Sequence, residues 1–257
     1  MNKLSVAIIT YNEERNIGRC IDSVAPVADE ILVLDSLSTD RTRAIALSKG
    51  ARVLEQAFLG YIEQKNAALG LAQYDLVLSL DADEALDEKL QQAILRAKQQ
   101  EAAAGYTMNR CTFYCEKFIR HGSWYPDRKL RIFNKQLAQW GGINPHDKVE
   151  FRAAQKTVHL AGDILHYSYY SVEEHITQNN KFSTISAESY FKQGRRTSLF
   201  KIWFNPLWAF LSGYLIKGGF RDGFYGYVIA KNVAHLTFLK HSKLYLLQCK
   251  AGGKKGD

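Results

Sequence analysis

The fold of this chain is indicated by an apolar run that ends in carboxylates, Leu76-Val77-Leu78-Ser79-Leu80-Asp81-Ala82-Asp83-Glu84. The apolar residues predict a buried strand, and at the carboxyl end of such a strand the side chains leave the core and meet solvent. Two aspartates at this spacing could share a hard divalent cation there. The motif alone leaves a second interpretation open, because acids after a strand also form turns or cap the next helix.

Outward from this run, strands alternate with helices. The predicted strands cover 4–10, 30–34, 52–54 and 75–80, and the predicted helices cover 13–24, a segment capped at 38–40 that runs to 47, 61–71 and 87–104. Shorter strands follow from residue 106, and a helix with a capping-box spacing covers 171–192. The alternation predicts an α/β fold, an open and mainly parallel twisted sheet with helices on both faces.

Composition bounds the class of protein. With 257 residues and 46% hydrophobic residues, the chain is long enough for a globular domain and an extension. Its four cysteines are too few and too scattered for a disulfide framework or a zinc site. The first residues lack the regions of a signal peptide, so the cytoplasm is the expected compartment.

Charge is divided unevenly along the chain. Residues 1–100 carry 11 Lys/Arg and 15 Asp/Glu, whereas residues 175–257 carry 13 Lys/Arg and 3 Asp/Glu. We therefore expect a catalytic domain over 1–195, an amphipathic helical extension over 196–250 that associates with membrane, and a disordered tail over 251–257.

Polar clusters follow three of the predicted strands, and the sheet topology would bring them to one crevice. They are Thr10-Tyr11-Asn12-Glu13, Asp35-Ser36 and Asp81-Ala82-Asp83. In this order they resemble the family-2 glycosyltransferases with the GT-A fold, and most of all the bacterial enzymes that add a β-linked glucose to the heptose of the lipopolysaccharide inner core. The resemblance covers residues 4–150 with specific motifs. It departs from the family at the second strand, where two adjacent acids are usual and Leu34 precedes a single Asp35.

The resemblance implies a set of donor-binding residues. Tyr11 would stack on uracil, Lys65 would meet the diphosphate, and Asp83, with Asp81 beside it, would hold Mg²⁺ or Mn²⁺. The full implied nucleotide-sugar set is Thr10, Tyr11, Asn12, Glu13, Asp35, Lys65 and Asp81. Two other interpretations stay open, since Asn12 could cap the first helix and Lys65 could be a solvated helix residue.

An inverting transfer needs a base that removes the proton of the acceptor hydroxyl. Related core glycosyltransferases resemble the segment 141–149 with a His followed by an acid, which here are His146 and Asp147. Asp147 is the expected base, although the family more often has the longer Glu at this position. His146 is the rival, because the ordinary pKa of histidine is near neutrality, and it could instead orient the loop.

Two further groups are candidates for acceptor or phosphate binding. Arg128 and Arg131 lie in a predicted strand and would point to different faces unless a bulge intervenes. An exposed edge strand protected by charge is the alternative. Trp124 and Tyr125 could form a platform for a sugar ring, or they could belong to a core.

The segment 199–216 is apolar, but Lys201, Asn205 and Pro206 interrupt it, and a span needs roughly 20 mostly apolar residues. Its aromatic residues and the lysines nearby suit the interface of an anionic membrane. Closure of a core or pairing of two subunits is the alternative. Nucleic acid is not an expected partner, because the aromatic residues are dense rather than singly interleaved with the basic ones.

The resemblance to the family-2 glycosyltransferases implies a metal-dependent inverting hexosyltransferase. Its expected donor is a UDP-sugar such as UDP-glucose, its acceptor a lipid-linked saccharide, and its place the cytoplasmic face of the inner membrane. A polyprenyl-phosphate glycosyltransferase and a catalytically silent nucleotide-sugar-binding or scaffold protein are the alternatives.

Overall fold

The computed structural model describes residues 2–101, 103–143 and 146–252, except for the side chains of Ile143 and His146. The chain forms two compact units. Unit 1 takes the chain up to Cys111 and then Asp127–Tyr167, and unit 2 takes Thr112–Pro126 and the chain from Ser168 onward.

The elements follow one another as an α/β series and then a helical one. The strands are β1 Leu4–Thr10, β2 Glu30–Asp35, β3 Arg52–Glu55, β4 Leu76–Asp81, β5 Glu84–Leu86, β6 Gly105–Tyr114, β7 Lys117–Phe118, β8 Asp127–Asn134, β9 Ala138–Ile143, β10 His146–Phe151 and β11 Thr157–Tyr169. The helices are α1 Ile17–Val24, α2 Thr42–Ser48, α3 Tyr61–Leu71, α4 Glu88–Lys98, α5 Val172–Lys192, α6 Leu199–Leu211 and α7 Gly223–Ala251.

The sheet is mixed, with a parallel half. Its order is β3-β2-β1-β4-β8-β6-β11-β5, β7 pairs with β6, and β9 and β10 form a ribbon of their own. The first four strands of that order are parallel, whereas β8 runs antiparallel to β4. The predicted α/β class, with parallel strands and flanking helices, is confirmed.

Strand β1 shows why both faces of the sheet must be covered. Every one of its residues is buried, and the apolar ones alternate between two hydrophobic clusters. Val6 and Ile8 pack in the cluster that includes residues of α1 and α4, while Ala7 and Ile9 pack in the one that includes residues of α3. Full burial of an isoleucine or valine side chain stabilises a fold by about 1.5–3 kcal/mol.

Some element boundaries differ from the prediction. Helix α1 begins at Ile17 rather than Glu13, since residues 14–16 form a turn, and the N–H groups of Glu13 and Glu14 donate to side chains of Thr42 and Asp40. Helix α4 ends at Lys98 rather than Ala104, and the short strand β5 was not predicted.

Unit 2 is built around α5, α6 and α7. The predicted capping box at the start of α5 is confirmed, since the Ser171 and Glu174 side chains bond each other's backbone N–H groups. A β-carbon on Gly226 of α7 would lie 1.9 Å from the Gly219 carbonyl oxygen, so this close approach of the backbone requires glycine. Helix α5 belongs to this unit. The functional division at residue 195, and with it the tail, stays a prediction; of that tail the structure describes only Ala251, which ends α7, and Gly252.

Candidate active site

The carboxyl ends of three neighbouring parallel strands bring the predicted polar clusters together. In the register of the sheet, Thr10 of β1 pairs with Asp35 of β2, and Ile9 pairs with Asp81 of β4. The expected meeting of the three clusters at one edge is therefore confirmed. The roles of the individual side chains stay predictions.

The loop after β1 is braced against the loop after β2. Asn12 has a left-handed backbone, with φ of 52°; its N–H donates to Ser38 Oγ at 2.8 Å, and its Oδ1 accepts from the Thr39 N–H at 2.8 Å. Asn12 does not cap α1, because the N-cap position of that helix is Asn16. The brace leaves the Tyr11 ring 59% exposed, as stacking on a base would require.

Asp35 and Thr10 lie deeper than the sequence suggested. Asp35 has no exposed surface, and its carboxylate accepts from both the N–H, at 2.7 Å, and the hydroxyl of Ser38. In this conformation it orders the loop instead of presenting a free acceptor to a ribose. Thr10 Oγ1 is also buried, and within the described residues it has no hydrogen-bond partner.

Glu13 stands at the opening of the same loop. Burial raises the pKa of its carboxyl above the ordinary value, and a 2.8 Å hydrogen bond from Asn16 Nδ2 opposes that shift only in part. The nearby Asp83 carboxylate raises the pKa further, while His166 works in the opposite direction. Glu13 therefore protonates more readily than an exposed glutamate.

Lys65 lies at the centre of the site. Its side chain, on α3, is almost fully buried, so the interpretation of Lys65 as a solvated helix residue is wrong. The ammonium is 2.7 Å from Asp147 Oδ2 and 3.2 Å from Asp81 Oδ1. It also lies 4.4 Å from the centre of the Trp140 ring, a favourable cation–π distance. One cation thus touches both the predicted donor-side carboxylate and the predicted base.

Arg131 is the second buried cation. The register between β6 and β8 shifts between the pairs Tyr106–Ile132 and Thr107–Leu130, which leaves Arg131 as an extra residue in β8. The guanidinium is 2.8 Å from Glu84 Oε1 and 3.7 Å from Asp81 Oδ2.

Because Arg131 is buried, its interpretation as part of an exposed, charge-protected edge is wrong, whereas Arg128 is exposed. Burial lowers the pKa of Arg131, but Glu84 and Asp81 outweigh that effect and raise it, so the guanidinium stays charged.

These two cations set the charge state of Asp81. Burial would raise the pKa of its carboxyl, but Lys65 and Arg131 hold that pKa below its ordinary value. Asp81 is therefore an anion at neutral pH, with its charge already shared between two protein cations.

Asp83 has a different partner. Its Oδ2 is 3.1 Å from His166 Nε2, and its carbonyl oxygen accepts the Tyr167 N–H at 2.8 Å. His166 reaches this position because β11 pairs antiparallel with β5, which places it opposite Glu84. Sequence reasoning missed His166; its one signal is a polar residue directly after the apolar pair Ile164-Leu165.

The donor set at Asp83 fits a divalent cation. A carboxylate oxygen and an imidazole nitrogen suit Mn²⁺ and related ions, and Mg²⁺ is commonly held by one or two carboxylates plus substrate phosphates. Within the described residues, no group of three or more His, Cys, Asp or Glu side chains is assembled to hold a metal. The fit is therefore to an ion that completes its coordination with water and substrate.

The predicted base lies on the β9–β10 ribbon. Asp147 pairs with Gly142 across the ribbon. Trp140 lies two residues before Gly142 in β9, and its backbone forms two hydrogen bonds with the Asn66 side chain. Asn66 Nδ2 donates to the Trp140 carbonyl at 2.9 Å, and the Trp140 N–H donates to Asn66 Oδ1 at 3.0 Å. Asn66 follows Lys65 in α3, so this clamp fixes Lys65 and Asp147 with respect to each other. Sequence reasoning missed Asn66, because an asparagine within a helix carries no distinctive pattern.

The remaining candidates divide between two regions. The His146 side chain lies outside the described residues. Trp124 belongs to unit 2 and packs in an aromatic cluster there, stacked on Tyr169 at 5.5 Å and edge-on to His175 at 5.0 Å. Trp124 therefore packs in a core, the alternative to a sugar platform. Tyr125 is the next residue, and its peptide bond to Pro126 is cis.

Comparison with known proteins gives a consistent family. The model of the glycosyl transferase family 2 matches residues 5–160. An uncharacterized glycosyltransferase of Rickettsia felis is 35% identical over 95% of this chain and 90% of its own length. A lipopolysaccharide core biosynthesis glycosyltransferase of Rhizobium meliloti is 30% identical over 94% of this chain and 92% of its own length.

Among solved structures, glucosyl-3-phosphoglycerate synthase of Mycobacterium tuberculosis, in complex with Mn²⁺ and UDP-glucose, is similar over 44% of each chain, with 28% identity and a TM-score of 0.36. That partial match places no ligand on the present chain. The family model covers more than half of the sequence and includes the three strand ends that lie together at one edge of the sheet. The chain therefore belongs to the family-2 glycosyltransferases.

Proposed function

We propose that this glycosyltransferase moves a hexose, with glucose as the first candidate, from a UDP-sugar to a lipid-linked saccharide of the lipopolysaccharide core, with inversion at the anomeric carbon. The observation that carries the proposal is the placement of Lys65 between Asp81 and Asp147. It sets a donor-side carboxylate and a candidate base around one buried cation. The lipopolysaccharide core glycosyltransferase at 30% identity supports the class of acceptor.

On the donor side, the exposed Tyr11 ring would stack on uracil. The Lys65 ammonium would exchange its contact with Asp81 for a contact with the diphosphate of the donor. A charge-assisted hydrogen bond to a phosphate oxygen is of the same type as the ion pair with the Asp81 carboxylate that it would replace. Thr10, Asn12, Glu13 and Asp35 would then shape the loop that receives the nucleoside.

A divalent cation, Mg²⁺ or Mn²⁺, would be held by Asp83 together with His166. When bound, it would neutralise charge that develops on the departing diphosphate. The His166 imidazole would act as its neutral form, since a metal ligand must present a lone pair.

On the acceptor side, Asp147 would remove the proton of the attacking hydroxyl. Its Oδ2 accepts from Lys65 at 2.7 Å, so the carboxylate is already positioned by a cation. As Lys65 moves to the diphosphate, the acceptor hydroxyl would replace the Lys65 ammonium as the hydrogen-bond donor to Asp147.

The test is transfer by the purified protein. UDP-glucose and other UDP-hexoses are offered with a heptosylated lipid A core or with a polyprenyl phosphate, each with Mn²⁺, with Mg²⁺ or with EDTA. The proposal expects metal-dependent transfer of a hexose to the saccharide. Transfer to polyprenyl phosphate alone would establish the other acceptor class, and tight UDP-sugar binding without turnover on either acceptor would mark a silent binding protein.

We further propose that the enzyme works at the cytoplasmic face of the inner membrane, as a peripheral protein. A lipid-linked acceptor and a cytoplasmic nucleotide sugar meet at that face. Separation of cell membranes from cytosol, followed by a salt wash, tests it: the protein should sediment with membranes and be released in part by high salt. Recovery entirely in the cytosol would contradict this placement.

A further inference from the structure

Helix α6 carries a stripe of apolar side chains that the described part of the chain leaves exposed. None of its residues is buried. The exposed ones recur at helical spacing, so they share one side: Leu199, Phe200, Trp203, Phe204, Leu207 and Trp208. Trp203 is 82% exposed and Phe200 is 71% exposed. Contiguous apolar surface of this kind marks an interaction site rather than a random feature of a protein surface.

The opposite side of α6 is the packed one. Ile202, Asn205 and Ala209 are only partly exposed, and Asn205 Nδ2 lies 3.0 Å from His241 Nε2 of α7. The stripe is therefore not the face that α6 needs for its own packing. Removing side chains from the stripe should leave the helix in place.

The chain after α6 repeats the pattern. Four apolar side chains between Leu215 and Phe224 are at least half exposed: Leu215, Ile216, Phe220 and Phe224. The exposed Lys217 and Arg221 stand between them. Exposed apolar side chains next to basic ones suit the headgroup region of a bilayer, where apolar groups enter the acyl boundary and cations stay with phosphate.

Charge selects an anionic partner. Residues 196–252 contain eight Lys/Arg and a single acid, Asp222. Asp222 is buried, and its Oδ2 accepts from the N–H groups of Arg120 and His121, so it presents no charge at the surface. No helix within the described residues is long and apolar enough to cross a bilayer.

We propose that α6 and the segment 215–224 form a docking surface for an anionic lipid bilayer, with the stripe inserted at the interface. This inference rests on the peripheral placement in the proposed function and names the surface responsible. Helix α7 would serve as its support, since Ile229, Ala230 and Leu244 of that helix are buried.

The experiment is flotation of the full chain with vesicles of phosphatidylglycerol and phosphatidylethanolamine, and with vesicles of neutral phosphatidylcholine. The double variant Phe200→Ser/Trp203→Ser removes the most exposed rings of the stripe, and Leu246→Ser, which removes an apolar side chain of α7 that is 55% exposed, is the control. We expect the wild type and the control to float with anionic vesicles, and the double variant to bind at least tenfold more weakly.

A second variant, Lys217→Gln/Arg221→Gln, tests the charge term. Each removed charge should weaken binding to anionic vesicles about fivefold at low salt, which corresponds to roughly 1 kcal/mol per basic residue near the surface, with no effect on neutral vesicles. It also keeps the proposal testable if the double variant fails to fold, which its thermal melting would show.

Other outcomes overturn the proposal. The wild type could fail to float, or the double variant could float as the control does. A wild-type dimer that the double variant abolishes, without vesicle binding, would assign the stripe to a second copy of the chain. Sugar transfer to a detergent-solubilised acceptor is measured in parallel, so that failure of docking and failure of the proposed chemistry are told apart.

Discussion

Unit 1 and unit 2 depart from the usual placement of side chains in opposite ways. Unit 1 buries charged groups: Lys65, Arg131 and Glu84 are each less than 5% exposed. Unit 2 leaves large apolar groups in solvent, with Trp203 and Phe200 as the extreme cases.

The contrast teaches where to look for each activity. Buried charge is tolerated only where partners compensate for the lost hydration, so it concentrates where chemistry needs fixed charges. Exposed apolar surface is retained where a partner covers it. The proposed catalysis accordingly lies in unit 1, and the proposed membrane attachment lies in unit 2.

The largest effect in unit 1 is expected from loss of the proposed metal ligand, Asp83. Asp83→Ala should lower metal-dependent transfer about 1000-fold or more, because Lewis-acid stabilisation is worth several kcal/mol. Steady-state kinetics against Mn²⁺ concentration measure it. Asp75→Asn, an exposed acid before the amino end of β4, is the control and should behave as the wild type; equal losses would contradict the assignment.

Removal of the proposed base ranks next. Asp147→Asn should lower kcat about 100-fold or more, the usual contribution of general base catalysis, while UDP affinity, measured by calorimetry, stays within a few-fold. Glu150→Gln changes an exposed acid of the same strand and should leave kcat intact. An unchanged kcat in Asp147→Asn would transfer the role to another group.

A smaller effect should follow from release of the ribbon. Asn66→Ala deletes both bonds to Trp140 and should lower kcat about tenfold, because small displacements of a catalytic group are costly, with little change in KM for the donor. Asn134→Ala serves as the control. It removes a hydrogen bond of another asparagine side chain, the one that Asn134 Oδ1 accepts from the Gln136 N–H at 2.8 Å. An equal loss of kcat in both variants would show that Asn66 stabilises the fold in general and does not specifically position the ribbon that carries Asp147.

The last prediction concerns the pH dependence of stability, not kinetics, and its source lies in unit 2. Burial lowers the pKa of His175 from 6.5 to about 4. As the pH falls, the unfolded chain binds a proton at this histidine near pH 6.5, whereas the folded chain binds it only near pH 4. The free energy of unfolding is therefore highest above pH 6.5 and decreases as the pH falls from 6.5 to about 4.

The loss over that window is at most about 3 kcal/mol, from 1.36 kcal/mol per pKa unit. Urea unfolding at pH 7.5 and pH 5 measures it. His175→Gln should flatten this dependence, whereas His159→Gln, at an exposed histidine, should not. A dependence that stays the same in His175→Gln would exclude His175 as its source.

The sequence predicted those parts of the structure that depend on local pattern. Helix α3 was predicted at its observed bounds, and the strand ends that carry Tyr11, Asp35 and Asp83 followed from the alternation of apolar strands and helices. Parallel strands must end at one edge, so the convergence of these side chains was predictable as well.

Features that depend on distant contacts were not predictable. Lys65 and Asp147 are 82 residues apart, and the ribbon that joins them is not part of the main sheet. His166 reaches Asp83 through an antiparallel pairing with a three-residue strand, β5, too short to give a pattern. The burial of Arg131 depends on a register shift that alternation of residue types does not encode.

The bracing of the Tyr11 loop has a consequence for affinity. Ser38 donates its hydroxyl to Asp35 and accepts from Asn12 with the same oxygen, so one small side chain holds two strand-end loops in a fixed shape before any ligand arrives. Preorganisation of this kind spares the ordering entropy that a loose loop would lose on binding. Under the proposed function, nucleotide recognition would thus depend on Ser38, a residue that need not touch the nucleotide itself.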